Sequence, residues 1–112
     1  MEYQFWNAAS DGKVEEVRKM MRENPNLKVN WANPNSDNQT ALIRACWSGH
    51  DKVFTLLLAH PDIDVNQKNY YGESPFLLEC WHGNTGCVRV LLKDARVKVN
   101  DLFWIYDTRE LS

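Results

Sequence analysis

Three neighbouring side chains, Glu79, Cys80 and His82, are of the types that carry acid–base, nucleophilic or metal chemistry. Glu79 and His82 have the i, i+3 spacing at which helical metal sites pair a carboxylate with an imidazole. Cys80 and His82 are two residues apart, so their side chains on a helix diverge by about 200° and cannot readily form a nucleophile–base pair. A metal site needs three or four ligands, and no second cluster follows in the sequence. An active or metal site around Glu79, Cys80 and His82 is therefore kept only as the alternative function.

Other motifs that indicate chemistry are missing. The segment 83–86, Gly-Asn-Thr-Gly, is a junction between helices and not the strand-to-helix loop that binds phosphate. No local Ser, His and Asp motif of a hydrolase is present. The three cysteines, Cys46, Cys80 and Cys87, are expected to pack in the core as small apolar side chains. We therefore expect no enzyme, no cofactor and no metal.

The composition limits the class of partner. The 112 residues fit one domain, with 13 Lys and Arg against 15 Asp and Glu and a net charge of −2. This balance provides no basic surplus to attract nucleic acid or an anionic membrane. Apolar runs reach about five residues, whereas a membrane span needs roughly 20. The odd number of cysteines disfavours a secreted disulfide framework, so we expect an intracellular, cytoplasmic location and neither nucleic acid nor membrane as partner.

The candidate residues lie in an internal repeat. Residues 40–50 align with residues 74–84 at a constant offset, which pairs Trp47 with Trp81. A looser copy begins at Ala8. The repeat length is the 34 residues that separate position 40 from position 74. Repeats of this length belong to architectures in which each unit buries its apolar face against its neighbours. The same offset also pairs Cys46 with Cys80, Gly49 with Gly83, and Val53 with Cys87.

Each copy predicts a pair of short helices. Thr40 and Ser74 are suited to the N-cap, and Pro75 suits the first helical position, where its missing N–H costs nothing. Gly49 suits a left-handed cap at the end of the first helix. The second helix has apolar residues at i, i+3 and i+4. The predicted helices are 3–10, 13–23, 40–48, 50–59, 74–82 and 84–93.

The order of these residues resembles the ankyrin repeat, whose pattern is Gly-x-Thr-Pro-Leu-His-x-Ala, then Gly-His, Val-x-x-Leu-Leu and Val-Asn. The resemblance extends over residues 3 to 100. It implies an all-α solenoid of stacked helix pairs with projecting finger loops, acting as a protein–protein interaction module without catalysis. The predicted domain is 1–112, with repeats near 1–32, 33–67 and 68–101 and a tail at 102–112.

The resemblance also implies a binding surface on the concave side, formed by the fingers and the ends of the first helices. Five Trp and four Tyr are a heavy aromatic load for a small core, and these types dominate interface hot spots. An alternative role for the aromatics is structural, with Trp47 stacked on Trp81 to join two repeats. The residues that the resemblance assigns to protein binding are Trp31, Trp47, Ser48, Tyr70, Tyr71, Trp81 and His82.

Two departures from the family pattern lie near the C-terminus. Glu79 occupies a position that is usually small, as at Ala45 in the preceding copy. Because the third repeat has no successor, we expect Glu79 at an uncovered end of the stack, where its carboxylate avoids the cost of burial. The apolar segment 102–106 either covers the third repeat as a cap or contacts another chain, which would allow self-association. An engineered binder is a further alternative origin.

Overall fold

The chain forms six helices and two short strands over the residues that the computed structural model describes, 1–82 and 85–98. Each helix end predicted within these residues lies within one residue of the observed end. The predicted start at 84, the closing Asn100 and the tail 102–112, with both hypotheses for 102–106, lie outside them. The elements are α1 (Glu2–Ser10), α2 (Val14–Glu23), β1 (Ala32–Asn33), β2 (Gln39–Thr40), α3 (Ala41–Trp47), α4 (Asp51–Leu58), α5 (Pro75–His82) and α6 (Thr85–Lys93).

Capping residues set the limits of the helices that carry the candidate site. The Thr40 hydroxyl accepts a hydrogen bond from the Ile43 N–H at 3.2 Å and begins α3. The Ser74 hydroxyl accepts from the Leu77 N–H at 3.2 Å and begins α5. Gly49, just past the end of α3, has φ +76, a conformation that favours glycine. The predicted caps are therefore confirmed.

The helix pairs stack in two rows. The inner row consists of α1, α3 and α5, and the outer row consists of α2, α4 and α6, because each helix packs on its counterpart in the next repeat. None of the described helices combines the length and the apolar composition that crossing a bilayer requires. This arrangement confirms the predicted all-α solenoid of helix pairs. The larger core side chains between the rows include Phe5, Leu42, Phe54, Leu57, Phe76 and Leu91.

Asn30 and Asn66, which close the repeated Val-Asn element, join each repeat to the next. The Asn30 side-chain amide donates to the Asp62 carbonyl at 2.7 Å, and its oxygen accepts from the Asp64 N–H at 2.8 Å. Asn66 makes the equivalent pair of bonds, at 2.7 Å and 3.0 Å, to the backbone of 96–98. The recurrence of asparagine follows from this geometry, since one amide must both donate and accept.

The first finger is a small antiparallel hairpin. Strands β1 and β2 pair with Ala32 opposite Thr40 and Asn33 opposite Gln39. Its tip residue Asp37 has φ 54, in the left-handed region that Asp tolerates better than most residues. The hairpin thus places the tip of the finger beside the inner row of helices.

Candidate functional site

The second finger is a tight turn organised by the buried side chain of Asn69. The Gly72 N–H donates to the Asn69 carbonyl at 3.1 Å, which closes the turn. The Asn69 side-chain oxygen accepts from the N–H groups of Tyr71 at 2.9 Å and Glu73 at 3.0 Å. Its amide nitrogen donates to the Glu73 carboxylate at 3.0 Å. One asparagine therefore fixes both the turn and the direction of an acidic side chain.

The two fingers meet at Asp37. The Tyr70 N–H donates to the Asp37 carbonyl at 2.7 Å, so the two tips are joined through the backbone. The Tyr71 hydroxyl lies 3.5 Å from the Asp37 carboxylate, at the limit for a hydrogen bond. The Tyr70 and Tyr71 rings meet edge to face with centroids 5.4 Å apart. These contacts give an exposed surface a defined shape.

The inner row contributes aromatic side chains from the ends of its helices. Trp47 is the last residue of α3, and Trp81 and His82 are the last two of α5. The His82 imidazole stacks on the Trp47 indole with ring centroids 4.0 Å apart and planes inclined by 20°. Trp47 keeps 36% of its surface exposed and Trp81 keeps 52%. The ring shown stacked on Trp47 belongs to His82, so a structural role for Trp47 in joining the two repeats includes this contact.

Between the fingers and these helix ends lies a depression of ≈ 330 Å³, which we call the finger groove. Its lining includes several aromatic side chains and the buried, apolar Leu78. Four of the residues predicted to bind protein, Trp47, Tyr71, Trp81 and His82, line it together. The remaining lining residues are Asp37, Gln39, Asn69, Glu73 and Leu78.

The charge of the finger groove is negative. Asp37 and Glu73 are the two carboxylates in its lining, and the lining contributed by the described residues includes no Lys or Arg. The Glu73 carboxylate is held by Asn69, and the Asp37 carboxylate borders Tyr71. Aromatic faces attract cations through their quadrupole, and carboxylates attract them directly. The groove is thus suited to a positively charged, flat or elongated group.

The other residues predicted to bind protein lie at the edge of the groove or away from it. Tyr70 is 73% exposed at the finger tip, beside Tyr71. Ser48 is exposed just past α3 and does not line the groove. Trp31 is half-buried and packs edge to face on Tyr3, with centroids 6.2 Å apart, on a different part of the surface.

Sequence reasoning missed the two acidic residues of the groove. It singled out aromatic residues and did not consider Asp37 and Glu73, which lie near the tip of one finger and at the end of the other. The position of Glu73, two residues after the aromatic pair of its finger, was a usable signal, whereas the polar residues around Asp37 gave none. The two carboxylates add negative charge to a groove that was predicted from aromatic residues alone.

The alternative set Glu79, Cys80 and His82 does not converge. His82 is exposed and stacks on Trp47, whereas Cys80 is half-buried beside the core. Glu79 is completely buried, so the expectation that it lies at an uncovered end of the stack is wrong. Its position on α5 faces α3 and α6 instead. Within the described ranges, the side chains that do converge with Glu79 are Cys46 and Cys87.

Comparison with known proteins supports the repeat assignment. A family model described as ankyrin repeats matches residues 5–101 in three copies. The "SMC5-SMC6 complex localization factor protein 1" of Homo sapiens is 39% identical over 66 residues, which are 59% of this chain and 6% of that protein. Its counterpart in Mus musculus is 35% identical over 83 residues, which are 72% of this chain and 8% of that protein.

A plant protein shows a weaker similarity. The "Probable E3 ubiquitin-protein ligase XBOS32" of Oryza sativa subsp. japonica is 29% identical over 86 residues, which are 77% of this chain and 17% of that protein. The chain therefore spans less than a fifth of the length of each of these relatives. The similarity concerns the ankyrin segment of much longer proteins.

Proposed function

Because the chain belongs to the ankyrin repeat family, whose repeats are generally protein–protein interaction modules, we propose that it binds a protein partner in the finger groove. We further propose that the partner inserts a basic side chain, arginine or lysine, between the aromatic walls. The module acts by recognition and carries no catalytic activity of its own. We propose an intracellular location, because an odd number of cysteines disfavours a secreted disulfide framework.

The observation that carries this proposal is the convergence of four aromatic rings with two carboxylates in one groove. Trp47, Tyr71, Trp81 and His82 come from two helices and one finger, and Asp37 comes from the other finger. Exposed aromatic residues in such a cluster are typical of interfaces, where Trp and Tyr contribute most of the binding energy. A role confined to packing would bury these rings, whereas Trp81 remains half exposed.

The charge of the groove favours a basic side chain over other groups. A guanidinium can stack on an indole and form hydrogen bonds with a carboxylate at the same time. Asp37 and Glu73 lie where such bonds would form, at the rim beside the aromatic walls. The same two carboxylates would repel the phosphates of a nucleic acid, so the proposed partner is a protein.

Short Gly/Ser peptides with one central Arg, Lys or Glu would test the proposal in an NMR titration of the whole chain. We expect the Arg and Lys peptides to shift the indole N–H signals of Trp47 and Trp81, and the Glu peptide to leave them in place. The double change Asp37→Asn and Glu73→Gln should remove the response without altering the helical spectrum. Equal responses to the three peptides would contradict the proposed selectivity, and no response to any would contradict the groove as the site.

A further inference from the structure

Glu79 is a carboxylate in an apolar core. Its side chain is completely buried, and neither of its oxygens has a hydrogen-bond partner within the described part of the chain. Burial raises the pKa of Glu79 to about 7, and the neighbouring Cys46 thiol offsets part of this rise. A buried carboxylate without partners is costly, so its position in the core requires an explanation.

Two cysteines lie close to this carboxylate. The ligand atoms of Cys46, Glu79 and Cys87 all lie within 4.8 Å of one another, and all three residues are buried. They come from three helices, α3, α5 and α6, and from two repeats. Tetrahedral zinc with Zn–S bonds of about 2.3 Å holds two sulfur ligands about 3.8 Å apart. Small side-chain adjustments would therefore bring the three atoms to ligand distances.

A cleft of ≈ 210 Å³ opens from the surface at Cys87, one member of this cluster. Cys87 lines the cleft together with Asp51 of α4, and the Cys87 thiol donates to the Asp51 carboxylate at 4.0 Å. The cleft provides a path by which an ion could reach the buried ligands. It also places a second carboxylate, that of Asp51, beside Cys87.

We propose that Cys46, Glu79 and Cys87 form a structural Zn²⁺ site that joins the second repeat to the third, with Asp51 completing the coordination from the cleft. Zinc takes thiolate and carboxylate ligands, and a structural site has four of them. On binding, the two thiols release their protons to solvent, and the metal charge compensates the buried Glu79 carboxylate, whose oxygens accept no hydrogen bond in the described part of the chain. The function of the ion is to hold α3, α5 and α6 together, independently of the finger groove.

Cobalt is the probe that tests this site, because Co²⁺ reports thiolate ligands and tetrahedral geometry by absorption. The whole chain is dialysed against a chelator under reducing conditions and titrated with Co²⁺. We expect thiolate-to-metal charge-transfer and tetrahedral d–d absorption to saturate at one equivalent and to disappear when Zn²⁺ is added. We also expect stoichiometric Zn²⁺ to raise the melting temperature of the chain.

Three variants make the test specific. Glu79→Ala introduces the residue that the preceding repeat has at Ala45, so the fold should tolerate it. This variant and Cys87→Ser should each weaken Co²⁺ binding by more than about tenfold, since even the loss of outer-shell partners costs metal sites 10- to 100-fold. Cys80→Ser, on the same helix as Glu79 but outside the cluster, is the control and should bind normally.

Two results would overturn the proposal. One is the absence of charge-transfer absorption in the reduced chain with no change of melting temperature in Zn²⁺, as expected if Glu79 is simply a neutral acid. The other is absorption that survives both Glu79→Ala and Cys87→Ser, which would place the metal elsewhere. Circular dichroism of each variant before titration shows that a loss of binding is not a loss of fold.

Discussion

The imidazole of His82 stacks on the indole of Trp47, one repeat earlier, with ring centroids 4.0 Å apart. The repeat equates His82 with Ser48, so this contact exists between the second and third repeats and has no equivalent between the first and second. It fixes the orientation of Trp47 at the wall of the finger groove. The third repeat thus contributes to the groove both with its own side chain, Trp81, and by positioning one from the second repeat.

We predict that His82→Ala lowers the free energy of unfolding by about 0.5–1.5 kcal/mol, the usual contribution of an aromatic pair. His82→Phe should keep most of this energy, because a phenyl ring can stack in the same place. Urea unfolding followed by circular dichroism measures both variants. Equal destabilisation by Ala and Phe would show that the stack contributes nothing and that the imidazole acts through another contact.

Gly12 provides a second test of the contacts between repeats. Its φ is +75, and a Cβ added there would lie 2.5 Å from a ring atom of His50, whose Nε2 is 3.1 Å from the Ser10 carbonyl. Gly12→Ala should therefore suffer both backbone strain of about 1–2 kcal/mol and a packing penalty of about 1–3 kcal/mol. Urea unfolding measures the total.

Gly49→Ala is the matched control for Gly12→Ala. Gly49 has nearly the same φ, +76, but a Cβ added there meets no atom within 4 Å. It should therefore suffer the backbone strain alone. If Gly49→Ala proves as destabilising as Gly12→Ala, the close packing of His50 of the second repeat against Gly12 of the first does not affect the free energy of unfolding.

The hydrogen bonds between Asp94 and Arg96 predict that the free energy of unfolding depends on pH. The Asp94 carboxylate accepts from the Arg96 side chain at 2.6 Å and 2.9 Å, and these bonds hold the pKa of Asp94 below its ordinary value. Because the folded pKa is lowered, the stabilisation is complete above the unfolded pKa of about 3.9 and is lost as the pH falls through the folded value.

The variant Asp94→Asn isolates this pair. Its deficit in unfolding free energy relative to the parent chain should be constant at neutral pH and should shrink below about pH 4. Arg96→Ala should lose the same pH-dependent part of the unfolding free energy. A deficit that stays constant down to strongly acidic pH would show that the ion pair does not stabilise the fold.

The sequence was sufficient for the fold because its signals are local. Helices begin where the hydroxyls of Thr40 and Ser74 cap them, and a helix ends before Gly49, which has no side chain. These helix ends can be predicted without knowing any distant contact. The repeat then determines the stacking, because every pair must bury its apolar face against the next. The same reasoning placed Trp47 and Trp81 near one another on the inner row.

The sequence was insufficient where the burial or the contacts of a side chain depend on which neighbouring residue it meets. The burial of Glu79 depends on the space between α3 and α6. The sequence predicted an uncovered end of the stack and therefore placed Glu79 at the surface. Trp31 packs on Tyr3, a contact between the first helix and the first finger that no repeat pattern encodes. Asp37 and Glu73 line one groove because the two fingers meet, with the Tyr70 N–H donating to the Asp37 carbonyl.

The most direct test of the account measures affinity and stability on the same double variant, Trp47→Ala with Trp81→Ala. Affinity is measured for the arginine peptide, and stability is measured as the melting temperature. Lys52→Ala, an exposed position on α4 in the outer row, is the control and should change neither quantity. We predict that the double variant keeps its helical spectrum and binds at least about 30-fold more weakly, the loss of a typical hot spot. Parent affinity in a well-folded double variant would contradict the finger groove as the binding site.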